Sequence, residues 1–409
     1  MGLRLSDTFA ALRVRNFKLF VLGQAISLSG TWMQTIGLSW LVLQITHSGT
    51  QLGLVIAAQF LPILVFGVWG GLIADRFDKR HILYFTQASA GILALILGLL
   101  VLTHSIHLWM IYVLALALGF VNVVDMPSRQ SFVMEMVGPK LLKNAVTLNS
   151  TMVNMARLIG PTIAGILIAT SGIAVCFLAN AASYIAVLFA LYLMNDQELF
   201  KAPIVKKVSG QIRAGFRYVW QVPKLKSTLL MMLIIGTFAY EFPVIFPLFA
   251  TVTLHGNAAT YSAMMSATGI GSVIGGLYTA GHANSRENQL IWIAIAFGFS
   301  IILASLMPSL IIVLIILVIV GALSVLFIAL GNTTLQLTSA PEMRGRVMSL
   351  WAVAFAGTTP IGGPIIGYIS DHSNPRIGLA VGGFSAIIGG MVGLYVYRRA
   401  LKKTIKLNV

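Results

Sequence analysis

The chain has 409 residues, 58% of them hydrophobic and only 9% charged, with a formal net charge of +16 and a mean hydropathy of +0.91. A soluble domain carries about 25% charged residues, and no soluble fold hides so much apolar surface. Composition therefore excludes a water-soluble globular protein and makes the bilayer the natural solvent.

Uncharged stretches mark the spans in chain order. A membrane helix needs about 20 apolar residues. The intervals Lys18 to Asp75, Arg80 to Asp125, Arg157 to Asp196 and Glu287 to Glu342 each hold two helices and a turn. Lys226 to Arg286 does the same, interrupted only by Glu241, while Arg346 to Asp371 and Arg376 to Arg398 hold one each. The first-half spans are predicted at 18–44, 50–74, 82–103, 107–127, 145–170 and 172–194. Those of the second half are predicted at 227–252, 258–280, 289–307, 309–333, 346–370 and 376–397. Lipid tolerates only helices or closed barrels, and these runs lack the alternation of barrel strands. The fold class is an all-α membrane protein with twelve transmembrane helices.

The organisation is an N-terminal six-helix bundle (1–194), a cytoplasmic linker (195–226) and a C-terminal six-helix bundle (227–409). In the linker, Ile212, Phe216 and Val219 recur at helical spacing beside Arg213 and Arg217. That pattern reads as an amphipathic helix on the headgroups or a solvated linker helix. With the N-terminus inside, all but Arg157 and Arg376 of the 27 Lys and Arg fall on one face. By the positive-inside rule both termini are cytoplasmic. The basic balance then reflects topology and anionic headgroups, so membrane lipids are partners and nucleic acid is not. The first residues do not form a cleavable signal, because span 1 is too long for one. Cys176 excludes an intramolecular disulfide and reads as a small apolar filler.

The halves echo each other. Span 5 holds "RLIGPTIAGIL", with Gly160, Pro161 and Gly165, and span 11 holds "PIGGPIIGYIS", with Gly363, Pro364 and Gly367. Such a repeat implies two pseudo-symmetric bundles with a site between them near mid-membrane.

Three motifs carry a family resemblance. "GLIADRFDKR", Gly71 to Arg80, resembles the signature between helices 2 and 3 of the major facilitator superfamily: Gly71, Asp75, Arg76, Lys79 and Arg80 fill its positions, with Asp78 in place of its second Gly. "RLIGPTIAG" resembles that superfamily's antiporter signature in helix 5, with Ala164 in place of a Gly. "DMPSRQSFV" and the run from Asn149 resemble the proton-coupled exporter branch that includes enterobactin exporters, the transmembrane secretion effector group. The resemblance implies a multi-pass protein of the bacterial inner membrane. It also implies a latch on the cytoplasmic side, in which Asp75 faces the start of helix 11 and Asp125 partners Arg76 or Lys79. A small residue at Gly71 would let the facing helix approach closely.

Two charges lie well inside spans, Arg157 and Glu241. Such residues cost about 3 kcal/mol to insert and are functional by default. Glu241 is the expected proton-coupling residue, with Arg157 setting its affinity or binding an anionic group; the competing reading is a fixed Arg157–Glu241 pair. No histidine lies mid-span to serve as a relay. Pro243 and Pro247 predict a kink or break beside Glu241.

Gln24, Ser27, Thr31 and Gln34 share one face of span 1. The resemblance puts helices 1, 4, 7 and 10 around the cavity, which suits this stripe. Asn122, Asn149, Asn154 and Tyr240 are expected to join it, although each amide serves a packing role equally well. Small residues of span 8 (Ser262, Ser266, Gly269, Ser272 and Gly276), together with Gly160, Pro161 and Gly165, are expected at the seam between bundles.

No nucleotide-binding loop, metal cluster or nucleophile motif occurs, so neither an enzyme nor a cofactor is expected. The sequence reads as a monomeric secondary transporter that exports a drug-like or siderophore-like molecule in exchange for protons. A lipid or lysophospholipid flippase and a non-transporting receptor are the alternatives.

Overall fold

The structure is a computed structural model that describes residues 9–200, 211–281, 288–340 and 343–407. Among them the regular elements are all helical. After a short 3-10 turn, α1 runs Arg15–Thr46, α2 Gly49–Arg76 and α3 Lys79–Leu102; α4 is one run over Leu108–Ser171, and α5 covers Ala174–Leu193. The linker helix α6 (Gln211–Gln221) precedes α7 (Pro223–Phe238), the short α8 (Phe242–Leu248) and a π turn at Phe249–Thr253. Then come α9 (Ala258–Gly281), α10 (Gln289–Leu306), α11 (Leu310–Thr338), α12 (Arg344–Ala356), α13 (Thr359–His372) and α14 (Pro375–Leu407). Nine described stretches are long and apolar enough to cross a membrane.

Helix starts follow side-chain capping. Ser48 Oγ accepts from the Gln51 N–H ahead of α2 (3.3 Å). Asp78 caps α3, accepting from the Arg80 and His81 N–H groups at 2.9 and 3.2 Å. An aspartate where the resembled signature has glycine therefore satisfies donors that helix geometry leaves free.

Residues 128–144, expected as a loop, are helical. α4 carries the chain through both predicted spans and is interrupted only at Gly138, whose φ of +67° lies in the left-handed region, with Pro139 opening the second limb. Phe132, Val133, Met136 and Val137 pack with Phe17, Phe20 and Leu83 in a separate apolar cluster. That burial keeps the helix going past the polar stretch.

Lys79 Nζ lies 2.7 Å from Glu135 Oε1 in the same region, and both side chains are buried. Removing one member of a buried pair strands the other charge. Glu135→Ala is therefore expected to destabilise the protein by about 3 kcal/mol, read as a fall in melting temperature in detergent. The double variant Lys79→Met/Glu135→Leu should regain most of that loss.

Two breaks matter for the site. The chain leaves helix at Phe238 and re-enters at Phe242, with Pro243 in the first turn of α8. It breaks again at Gly357 and Thr358, between α12 and α13, in the middle of the predicted span 346–370. Missing amide hydrogens and crowded rings explain the first break. Thr358 and Pro360 flank the restart at the second.

Helices α1 to α5 pack on one another, as do α7 to α14, and the two groups meet along α2 with α13 and α4 with α9. Along the first line, a Cβ on Gly53 would overlap the Gly363 backbone and one on Gly367 would overlap Gly49. Along the second, a Cβ on Gly165 would come 2.7 Å from Ser262 Cβ, and one on Gly269 would meet the backbone of Leu158. Small residues permit this backbone-to-backbone approach. Cys176 is fully buried.

Candidate functional site

Between α1, α3 and α4 lies a cavity of about 480 Å³ that reaches across to Pro243 of α8. The expected stripe Gln24, Ser27, Thr31 and Gln34 lines it, as do Asn122 and Asn149. Gln59, Gln87, Asn180 and Tyr184 line it too, although spacing within single spans did not single them out. Gln34 is held by Asn180, whose Nδ2 donates to its Oε1 at 2.7 Å. Trp32 and Phe60 add aromatic surface.

The cavity's charged element is Asp125 with Arg129. Asp125 Oδ1 accepts from Thr86 Oγ1 at 2.8 Å and from Gln87 Nε2 at 2.7 Å, and its Oδ2 lies 3.5 Å from Arg129 Nη2. Arg129 Nη1 donates to Gln24 Oε1 at 3.2 Å, tying α4 to α1.

Three expected cavity residues, Tyr240, Asn154 and Arg157, sit elsewhere. Tyr240 donates to the Ser324 carbonyl at 2.9 Å and packs among Phe297, Phe355 and Phe242 inside the second group of helices. Asn154 donates to Ser150 O at 3.0 Å and points toward Gly276 of α9.

Arg157 and Glu241 are not joined by an ion pair. The Arg157 guanidinium lies over the Trp32 ring, 5.1 Å from its centroid, and its buried Nε has no partner. Cation–π attraction of this kind strengthens where water is excluded. Glu241 is 3% exposed and sits in the break between α7 and α8. Its carboxylate faces the first turn of α13: a methyl built on Gly362 would lie 3.2 Å from one oxygen and one on Gly363 3.4 Å from the other. The Thr359 hydroxyl is its polar neighbour. The free N–H groups of a helix start suit a negative charge, and glycines alone let the carboxylate come so near.

Among the described residues, the contacts expected of the Asp125 arm of the cytoplasmic latch are not made. Asp125 partners Arg129 rather than Arg76 or Lys79, and Lys79 partners Glu135. Arg80 donates to the carbonyls of Leu191 (2.7 Å) and Met194 (3.0 Å) at the end of α5, and lies 3.6 Å from Asp196. Arg76 is exposed. Among the described residues, Gly71 and Gly345 would each accept a Cβ with nothing within 4 Å. The Asp75 side chain lies outside the described residues. The charges instead tie the first group of helices to itself.

The opposite end is closed by a contact that the sequence did not reveal. Asp371, on the last turn of α13, accepts from Ser48 Oγ (2.7 Å), Gly49 N (2.6 Å), Thr50 N (2.8 Å) and Thr50 Oγ1 (2.8 Å). An acid from one group of helices thereby caps the start of α2 in the other. Among the antiporter-signature residues, Gly160 packs against Trp32 and Ser29 of α1, and Gly165 against Ser262 of α9. Pro161 is buried beside them.

Residues 6–407 match the transmembrane secretion effector family. The chain is 26% identical to the staphyloferrin A transporter of Staphylococcus aureus (strain NCTC 8325 / PS 47), over 93% of this chain and 96% of that protein. It is 27% identical to the enterobactin exporter EntS of Shigella flexneri, over 93% and 91%. Among solved structures, it is similar to a bacterial homolog of the human lysosomal transporter Spinster in an inward-facing, unoccupied conformation. That likeness has a TM-score of 0.69 and 15% identity, and covers 97% of this chain and 96% of the other. A POT family transporter in complex with a thioalcohol-conjugated peptide gives a TM-score of 0.75 at 13% identity, over 94% and 96%.

Proposed function

Because the chain belongs to the transmembrane secretion effector family of the major facilitator superfamily, a family of multi-pass membrane transporters, we propose that it exports a small siderophore-like or drug-like molecule across the inner membrane in exchange for protons. Twelve spans form two six-helix bundles joined by the 195–226 linker, with both termini cytoplasmic. The bundles rock about the shared cavity, so the solute enters from the cytoplasm and leaves outside. The protein works as a monomer.

Glu241 carries this reading. A buried acid in the break between α7 and α8, two residues before the cavity-lining Pro243, supports a role in binding a proton from one side and releasing it to the other. Arg157 stacks on the cavity-lining Trp32 from outside the cavity, where it holds that ring in place and does not itself meet the solute. Gln24, Ser27, Thr31, Gln34, Asn122 and Asn149 supply hydrogen bonds along the cavity wall. In the outward-open state, the cytoplasmic latch of Gly71, Asp75, Arg76, Lys79, Arg80 and Asp125 closes the inner side.

The test is flux in liposomes containing purified protein, with labelled siderophores and drugs as probes. Accumulation should follow an imposed pH gradient and vanish when the gradient is collapsed. Saturable binding without flux would instead make this protein a receptor.

A further inference from the structure

We propose that the cavity wall formed by α1 and α3 recognises an uncharged group bearing both a hydrogen-bond donor and an acceptor, a hydroxyl or a carboxamide, held between Gln24 Nε2 and Gln87 Oε1. The inference rests on reading this cavity as the solute's compartment.

Gln87, Asp125, Arg129 and Gln24 form one hydrogen-bonded chain across three helices. The chain fixes how both amides face. Gln87 must turn its NH2 to the Asp125 carboxylate, and Gln24 must turn its oxygen to the Arg129 guanidinium. What remains is one free end on each: Gln24 Nε2, a donor, and Gln87 Oε1, an acceptor. Both atoms are buried without a partner, in residues that are 1% and 4% exposed and line the cavity. Buried polar atoms are nearly always satisfied, so two orphans with almost no accessible surface, in residues that line a cavity, call for a group that enters as these side chains part.

The chemistry of that group follows from the free ends. An ammonium cannot accept from Gln24, and a carboxylate cannot donate to Gln87. Asp125 and Arg129 neutralise each other at the centre of the chain and leave no net charge for an ionic solute group at this wall. A hydroxyl or a carboxamide answers both ends at once. Trp32, Phe60 and Tyr184 line the same space and suit a flat ring carrying that group.

Three probes on one ring test the assignment: 3-hydroxybenzamide, benzoate and benzylammonium, titrated into the full-length protein in nanodiscs at neutral pH. The uncharged probe is expected to bind at least tenfold more tightly than either ion, since a site built for hydrogen bonds rejects groups that leave it unpaired. Gln24→Met and Gln87→Met should each cut that preference below threefold, a change that loss of folded protein alone does not produce. Gln24→Asn and Gln87→Asn replace them if the methionine variants fail to fold. Tighter binding of either ion, a preference that survives substitution at either position, or no binding of 3-hydroxybenzamide would overturn the proposal. Gradient-driven flux with no headgroup preference would sink this assignment and leave the export reading standing. A preference without flux would do the reverse.

Discussion

Glu241→Gln is expected to abolish accumulation driven by a pH gradient while solute still exchanges across the membrane without one. The substitution keeps the shape that fits beside Gly362 and Gly363 and removes only the ability to ionise. One charge moving down 100 mV releases about 2.3 kcal/mol, enough to sustain a concentration ratio of roughly 50. In the variant that ratio should fall to about one, because solute and proton movements are no longer tied. Two assays on the same liposomes read the difference: uphill accumulation under an imposed gradient, and counterflow with labelled solute at equal pH. Loss of both would point to damaged packing around the α7–α8 break. If accumulation and its pH profile matched the wild type, the coupling role of Glu241 would be finished.

Asp371→Ala should open the end of the molecule that the structure shows closed. Its carboxylate accepts four hydrogen bonds at 2.6 to 2.8 Å from Ser48, Gly49 and Thr50. Hydrogen bonds to a charge contribute about 1.5–3 kcal/mol each when buried, and this cluster is partly exposed, so water replaces much of that. A net loss of about 3 kcal/mol remains reasonable, which shifts a two-state equilibrium by roughly a hundredfold. Cys176, the lone cysteine, can be replaced to give a background for spin labels at Thr46 and Ser373. The label-to-label distance should lengthen in Asp371→Ala and change less in Asp371→Asn, which keeps one acceptor oxygen. An unaltered distance distribution would show that the glycine-lined helix contacts alone hold this end shut.

The apolar helices were legible in the sequence because their physics is local. Runs without charge have to become helices in lipid, and Pro243 marks its own break. The stripe from Gln24 to Gln34 could be read because a helix repeats its face on a fixed period. The continuation of α4 through residues 128–144 was obscured by Pro127, Gly138 and Pro139, which look like a loop. A helical signal was nevertheless present in Phe132, Val133, Met136 and Val137, which bury one face. The same continuity explains the partner of Asp125, since Arg129 lies one turn along the same helix. Gln87 offered no period to read, and its importance comes from an acid on another helix. Asp371 looked like a charge at the end of a span; its donors lie in the first half of the chain, and no spacing rule links them.

One short helix, α13, carries both the glycines that meet Glu241 and the aspartate that holds the far gate. Gly362 and Asp371 stand about 14 Å apart along its axis at 1.5 Å per residue. The helix is continuous between them, although Pro364 removes one of its backbone hydrogen bonds. A push of a single residue's rise at the acid's end carries Asp371 the same distance, and its 2.6 to 2.8 Å bonds then exceed hydrogen-bonding reach. Under the proposed coupling role, loading or emptying Glu241 would in this way be felt at Asp371, with no relay of side chains in between.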